Sequence, residues 1–132
     1  MSKARFISVE GIEGVGKSTH LGFIRDQLAA QGIDVLMTRE PGGTPAAERI
    51  RSLLLDSGAE RFSQDAELLL MFAARSLHVE NVIRPALKAG RWVVCDRVVD
   101  ASYAYQGGGR GMSTQRIATL ERWILKGLKP DL

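Results

Sequence analysis

Val9-Glu10-Gly11-Ile12-Glu13-Gly14-Val15-Gly16-Lys17-Ser18-Thr19 is the stretch that decides the fold of this chain. Residues 11–18 satisfy G-x-x-x-x-G-K-[ST] in full. They follow a run of β-formers, Arg5-Phe6-Ile7-Ser8-Val9-Glu10, and precede apolar residues at helical spacing, Leu21, Ile24 and Leu28. A strand before and a helix after is the context that gives such a match its meaning. The glycines let the backbone curl so that consecutive N–H groups face an anion. The helix N-terminus adds its positive end, roughly half an elementary charge. The nucleotide-phosphate set is therefore Gly11, Ile12, Glu13, Gly14, Val15, Gly16, Lys17 and Ser18, with Lys17 reaching the β/γ-phosphates and the Ser18 hydroxyl a ligand for Mg²⁺. A glycine-rich turn that binds nothing has no need of lysine and serine at those offsets. The motif is strong for nucleoside triphosphate binding and silent on the reaction.

Outward from the loop, Val35-Leu36-Met37-Thr38 and Trp92-Val93-Val94-Cys95 read as two further strands. The first helical pattern stops at Gly32, a natural residue just past a helix end. Thr44-Pro45 reads as an N-cap followed by proline at the first helical position, with Ile50, Leu53 and Leu54 on the buried face. Ser63 caps a long helix running through Glu67 to Ala89, apolar on more than one side, with Pro85 bending or breaking it. Ser113 opens a final helix with Ile117, Leu120 and Ile124 facing inward. The order β, α, β, α, α, β, α, α implies an α/β fold with a parallel sheet and right-handed helical crossovers. Gln106-Gly107-Gly108-Gly109-Arg110-Gly111 reads as a mobile surface loop. Lys126-Gly127-Leu128-Lys129-Pro130-Asp131-Leu132 looks like a turn into another strand, so residues 1–132 are expected to be one domain's N-terminal portion.

Composition narrows the class. The chain has 132 residues, 45% hydrophobic and 25% charged, enough for one core and too few for two domains. With 14 Gly and 4 Pro, neither disorder nor a fibrous repeat fits. No apolar run approaches the roughly 20 residues that cross a bilayer, and no signal-peptide core follows Met1. The single Cys95 makes no internal disulfide and no zinc spacing, and reads as a small core hydrophobe in a cytoplasmic protein. The net charge of +3 says little by itself. The basic residues gather at a pocket rather than along a stripe, which argues against nucleic acid as a partner.

In a parallel α/β sheet the ligand lies beyond the carboxyl ends of the strands. Here strand one ends in Glu10 and the phosphate loop, strand two in Arg39-Glu40-Pro41-Gly42-Gly43-Thr44, and strand three in Asp96-Arg97. Taken singly, Arg39 or Arg97 could form an ordinary surface ion pair, worth little. Both at strand ends beside a phosphate loop suit two phosphate groups and a metal. A carboxylate after Val93-Val94-Cys95 can hold Mg²⁺ directly or through water.

These segments together make the chain similar to the bacterial thymidylate kinases, a branch of the P-loop nucleoside monophosphate kinases. The motifs that carry the resemblance are residues 9–19, Thr38-Arg39-Glu40-Pro41-Gly42-Gly43-Thr44, Cys95-Asp96-Arg97 and Ala104-Tyr105-Gln106-Gly107-Gly108-Gly109-Arg110-Gly111. They stand in the family's order and cover essentially the whole chain. The resemblance implies a three-layer P-loop NTPase fold, here without the lid and C-terminal strands. It implies ATP-dependent phosphorylation of dTMP to dTDP on the way to dTTP, with Mg²⁺, in a homodimer. It gives Lys17, Arg97 and Asp96 catalytic roles, with Asp96 and Ser18 at the metal. Glu13, Arg39, Arg51, Phe72, Arg75, Arg97, Ser102 and Gln106 fall at substrate-binding positions: Arg39 and Arg97 on the acceptor phosphate, Glu13 on the sugar 3′-hydroxyl, Arg75 on the pyrimidine. Ser102 and Gln106 match readers of the base edge, and Arg51 lies near the acceptor nucleotide.

Two departures matter. Where many members stack the base on phenylalanine, Met71 stands here and Phe72 comes next, so Met71 or Phe72 is expected to meet the base. Gly14 occupies the place where some members carry a catalytic arginine in the phosphate loop, so that arginine is expected from a later lid. His20 and His78 are expected to face solvent or pack, Tyr105 to close the pocket wall or pack, and Trp92 and Trp123 to serve core or subunit contacts. The rival readings are another P-loop nucleoside or nucleotide kinase, and a non-catalytic ATP-binding fragment.

Overall fold

Among the described residues three short strands, β1 (Phe6–Glu10), β2 (Val35–Glu40) and β3 (Trp92–Arg97), form one parallel sheet in the order β1-β3-β2. The computed structural model describes residues 4–10, 17–56, 58, 60–97 and 114–131, with only the backbone of Glu10, Lys17, Ser18, Arg97 and Thr114. The helices are α1 (Lys17–Ala30), α2 (Pro45–Leu55), α3 (Gln64–His78), α4 (Arg84–Lys88) and α5 (Thr114–Leu125). The helix expected directly after the third strand, the Gly107–Gly111 loop and the Ser113 cap lie outside the described residues.

Side-chain alternation sets the two faces of the sheet. Phe6, Val93 and Leu36 are register partners, and Ser8, Cys95 and Thr38 form the next row on the same face. Phe6, Val93 and Cys95 pack there against Val79, Ile83 and Ala86, with Leu87, Leu125 and Leu128 at the margin. A second cluster joins α3 to α5 through Leu68, Phe72 and Ile117, flanked by Leu120 and Ile124. Fully burying one such large apolar side chain contributes about 1.5–3 kcal/mol. The inward face expected for the last helix is therefore present.

The local signals held with adjustments. The Thr44 hydroxyl accepts from Ala47 N at 3.0 Å and Ser63 Oγ from Ala66 N at 3.1 Å, so both N-caps are present. Gly32 adopts φ +75 just past α1, a region open to glycine. Strands β2 and β3 run two residues further than their apolar cores suggested, because pairing to neighbours continues through Arg39↔Asp96 and Glu40↔Arg97. Leu53, expected inside, is 45% exposed, and Ala47 is the buried residue of α2. The long helix is interrupted by a π-helical turn, Val79–Ile83, directly before α4. Pro85 explains the interruption: its ring displaces the carbonyl four residues back, and the Arg84 N–H bonds Val79 O instead. Cys95 is buried as expected, whereas Trp123 is 67% exposed. Asp131 N donates to Phe6 O at 2.6 Å, bringing the last described residue against β1. Among the described residues no helix is long and apolar enough to cross a membrane.

Candidate active site

The carboxyl ends of the strands are level with one another. Val9, Asp96 and Arg39 form one cross-strand row, and Glu10, Arg97 and Glu40 form the next. Arg39, Asp96 and Arg97, expected at the acceptor phosphate and the metal, thus come from two strand ends to one edge of the sheet, level with the end of β1. Helix α1 begins at Lys17 and Ser18, so its positive N-terminal end opens after that edge. Asp96 is half-buried in the row nearer the sheet body. Residues 11–16, Glu13 among them, and Ser102, Tyr105 and Gln106 lie outside the described residues.

Successive residues of β2 send their side chains to opposite faces, and each finds a partner. Arg39 forms a two-pronged pair with Glu48 of α2, Nε to Oε1 at 3.1 Å and Nη2 to Oε2 at 2.8 Å. Glu48 also accepts from Gly43 N at 3.2 Å. The Arg39 hydrogen bonds hold the Glu48 carboxyl below its usual range; burial opposes them, and the Gly43 amide and the positive charges of Arg39 and Arg51 add to the lowering. Arg51 Nη1 donates to Pro41 O at 3.2 Å. Three of the expected substrate ligands, Arg39, Arg51 and Arg75, therefore surround the Arg39–Thr44 segment, on whose other side Glu40 turns inward.

Glu40 and Arg75 are each 2% exposed, and Arg75 Nε donates to Glu40 Oε1 at 2.5 Å. The Arg75 guanidinium carbon lies 4.6 Å from the centroid of the Phe72 ring. Phe72 itself is 2% exposed in the α3–α5 core, while Met71 is half-buried. His78, fully buried, shares a 2.6 Å hydrogen bond between its Nε2 and Thr38 Oγ1, and its Nδ1 lies 3.9 Å from Glu40 Oε2. Packing, not solvent, is thus the fate of His78, whereas His20 is exposed. The sequence alone assigns no site role to Glu40, Glu48 or His78. The alternation Leu36-x-Thr38-x-Glu40 was the available signal, because it turns a charged residue toward the buried face.

Residues 9–132 match the thymidylate kinase family. The thymidylate kinase of Chromobacterium violaceum is 61% identical over 130 residues, covering 98% of this chain and 61% of that protein. That of Chromohalobacter salexigens is 61% identical over 133 residues, covering 100% of this chain and 63% of that protein. The crystal structure of thymidylate kinase from Ehrlichia chaffeensis superposes with a TM-score of 0.88 at 36% identity, covering 99% of this chain and 74% of that one. The chain spans about three-fifths of the length of the curated relatives it matches.

Proposed function

We infer function from one premise: this chain belongs to the thymidylate kinase family. The activity proposed for the whole protein is transfer of the γ-phosphoryl group of ATP to a phosphate oxygen of dTMP, giving ADP and dTDP. The observation that carries this reading is the register that brings Asp96-Arg97 and Arg39-Glu40 level at the edge where β1 ends. Such a transfer asks the protein for alignment, charge neutralisation and exclusion of water rather than covalent chemistry. Lys17 and the loop amides take the donor phosphates, and Arg97 and Arg39 take the acceptor phosphate. Arg39 can do so because its pair with Glu48 is half-exposed and a phosphate offers the same two-pronged geometry. No general base is needed, since the attacking atom is already an anionic phosphate oxygen.

The Asp96 carboxylate and the Ser18 hydroxyl are hard oxygen donors that fit Mg²⁺, which when bound neutralises charge on the β- and γ-phosphates. Glu13, Arg51, Ser102 and Gln106 complete the acceptor site in this reading, Arg75 meets the base, and the protein works as a cytoplasmic homodimer of single-domain subunits. The half-buried Met71 is better placed than the enclosed Phe72 to give the base an apolar contact.

A panel of dTMP, dCMP and thymidine, each with ATP and Mg²⁺ and the whole protein, tests the proposal by ADP release. Release with dTMP alone is the expected result. Equal release with thymidine would favour a nucleoside kinase, and ATP binding without turnover on any acceptor would favour a non-catalytic module. Lys17→Ala is expected to abolish turnover, and near-normal rates would overturn its role.

A further inference from the structure

Arg75 is an unusual buried cation. Among the described residues its one hydrogen bond runs from Nε to Glu40 Oε1, although a guanidinium carries further N–H donors at its Nη edge. One face of its plane lies over the Phe72 ring at 4.6 Å. The group is thus fixed from one edge by a carboxylate and from one face by an aromatic ring. Neither Nη atom is among the buried unpartnered polar atoms of the described residues, so that edge is reachable and can donate to a carbonyl oxygen brought by a ligand. A second polar pair lies beside Glu40. Thr38, two residues earlier on the same face of β2, is bonded to His78 Nε2 at 2.6 Å. His78 Nδ1 has no hydrogen-bond partner and faces Glu40 Oε2 at 3.9 Å. When the Thr38 hydroxyl donates to Nε2, the neutral ring carries its proton on Nδ1, pointing at the carboxylate. Gly43 presses on the ring from outside, for a Cβ there would fall 2.3 Å from His78 Cδ2.

We propose that Glu40, oriented by His78, is the positioning residue that aims the Nη edge of Arg75 at the carbonyl of the acceptor's pyrimidine ring, with Phe72 as the platform under the guanidinium. The inference rests on the function proposed above and adds a chain of residues, Thr38-His78-Glu40-Arg75, that selects the base. Glu40, His78 and Cys95 also present donor atoms within 4.8 Å of one another, as a metal site would. Arg75 already supplies the cation that Glu40 needs, so a divalent ion there would meet a guanidinium at contact distance. A positioning role accounts for all four side chains without that conflict.

Thymine offers a carbonyl acceptor where cytosine offers an amino donor, so the readout is the ratio of dTMP to dCMP affinity. Titration of both nucleotides into the whole protein should show a clear preference for dTMP, and in Glu40→Gln that ratio should fall about tenfold, as when a built hydrogen-bonding site loses its aim. A purely structural role would weaken both nucleotides together and leave the ratio unmoved, which would overturn the inference while the function stands. Failure of the unaltered chain to prefer dTMP would overturn both. Should Glu40→Gln not fold, the Nε–H resonance of Arg75 in the unaltered chain decides by ¹⁵N NMR. Slow solvent exchange that persists with dTMP bound supports a guanidinium held on Glu40 while it reads the base. Release of that proton to solvent on dTMP binding overturns it.

Discussion

Arg39 and Glu40 are adjacent in β2, yet their ion pairs live in different solvents. The Arg39–Glu48 side chains are 52% and 38% exposed, whereas the Glu40–Arg75 side chains are each 2% exposed. Strand alternation alone sends one outward and the other inward. In water the first pair gains little over hydration and can exchange partners, which is what a phosphate ligand requires. The second has lost hydration on both sides, so removing either member strands a buried charge. One peptide step thus separates an arginine whose pair is open to solvent from a carboxylate whose pair is not, and mutations at the two should behave differently.

The largest effect belongs to the inner pair. Glu40→Ala should destabilise the chain by about 3–5 kcal/mol, read from urea unfolding. A loss below about 1 kcal/mol would show that Arg75 finds solvent and that the pair is not truly inside. Replacing both members, Glu40→Leu with Arg75→Met, should recover most of that loss, because no unpaired charge remains. Gly43→Ala comes next. Its φ is +93 and the added Cβ would meet the His78 ring at 2.3 Å, so about 1–3 kcal/mol should be lost as backbone or ring shifts. Thr44→Ala, which removes the acceptor for Ala47 N, should cost about 1 kcal/mol in thermal unfolding.

The outer pair gives the smallest change. Glu48→Gln should lower stability at neutral pH by no more than about 1 kcal/mol, with the loss diminishing in 0.5 M salt. The pH dependence has a definite sign. Arg39 holds the folded-state carboxyl of Glu48 below the usual 4.5. Its contribution is therefore complete above that value and disappears as pH falls through the lower folded value. The unaltered protein and Glu48→Gln should accordingly converge in stability under acid. A constant gap at all pH values would contradict the pair.

Much of this was legible in the chain. The phosphate-loop motif, the alternation of short apolar runs with helical spacing, and the caps Thr44 and Ser63 are local signals, and local physics places them. The convergence of three strand ends was legible too, since a parallel sheet aligns its carboxyl ends. The partners of the site residues were not. Nothing near Arg39 in sequence announces Glu48 nine residues on, because that pair depends on how α2 folds back over the Arg39–Thr44 segment. Phe72 read as a candidate for stacking on the base, yet α5 closes over it through Ile117 and Arg75 takes its face. Leu53 misled for a simpler reason: helical spacing identifies a stripe but not which neighbour covers it. Pro85 announced a break, while the π turn it imposes depended on which carbonyl Arg84 could still reach.

The central claim is that two anions meet at one sheet edge, one held by the loop before α1 and the other by the arginines of β2 and β3. A crystal structure of the whole protein with dTMP and a non-hydrolysable ATP analogue tests it most directly. The dTMP phosphate should lie about 2.7–3.2 Å from guanidinium nitrogens of Arg39 or Arg97, with the analogue's phosphates on the Lys17 loop. A dTMP phosphate bound away from both arginines would contradict it.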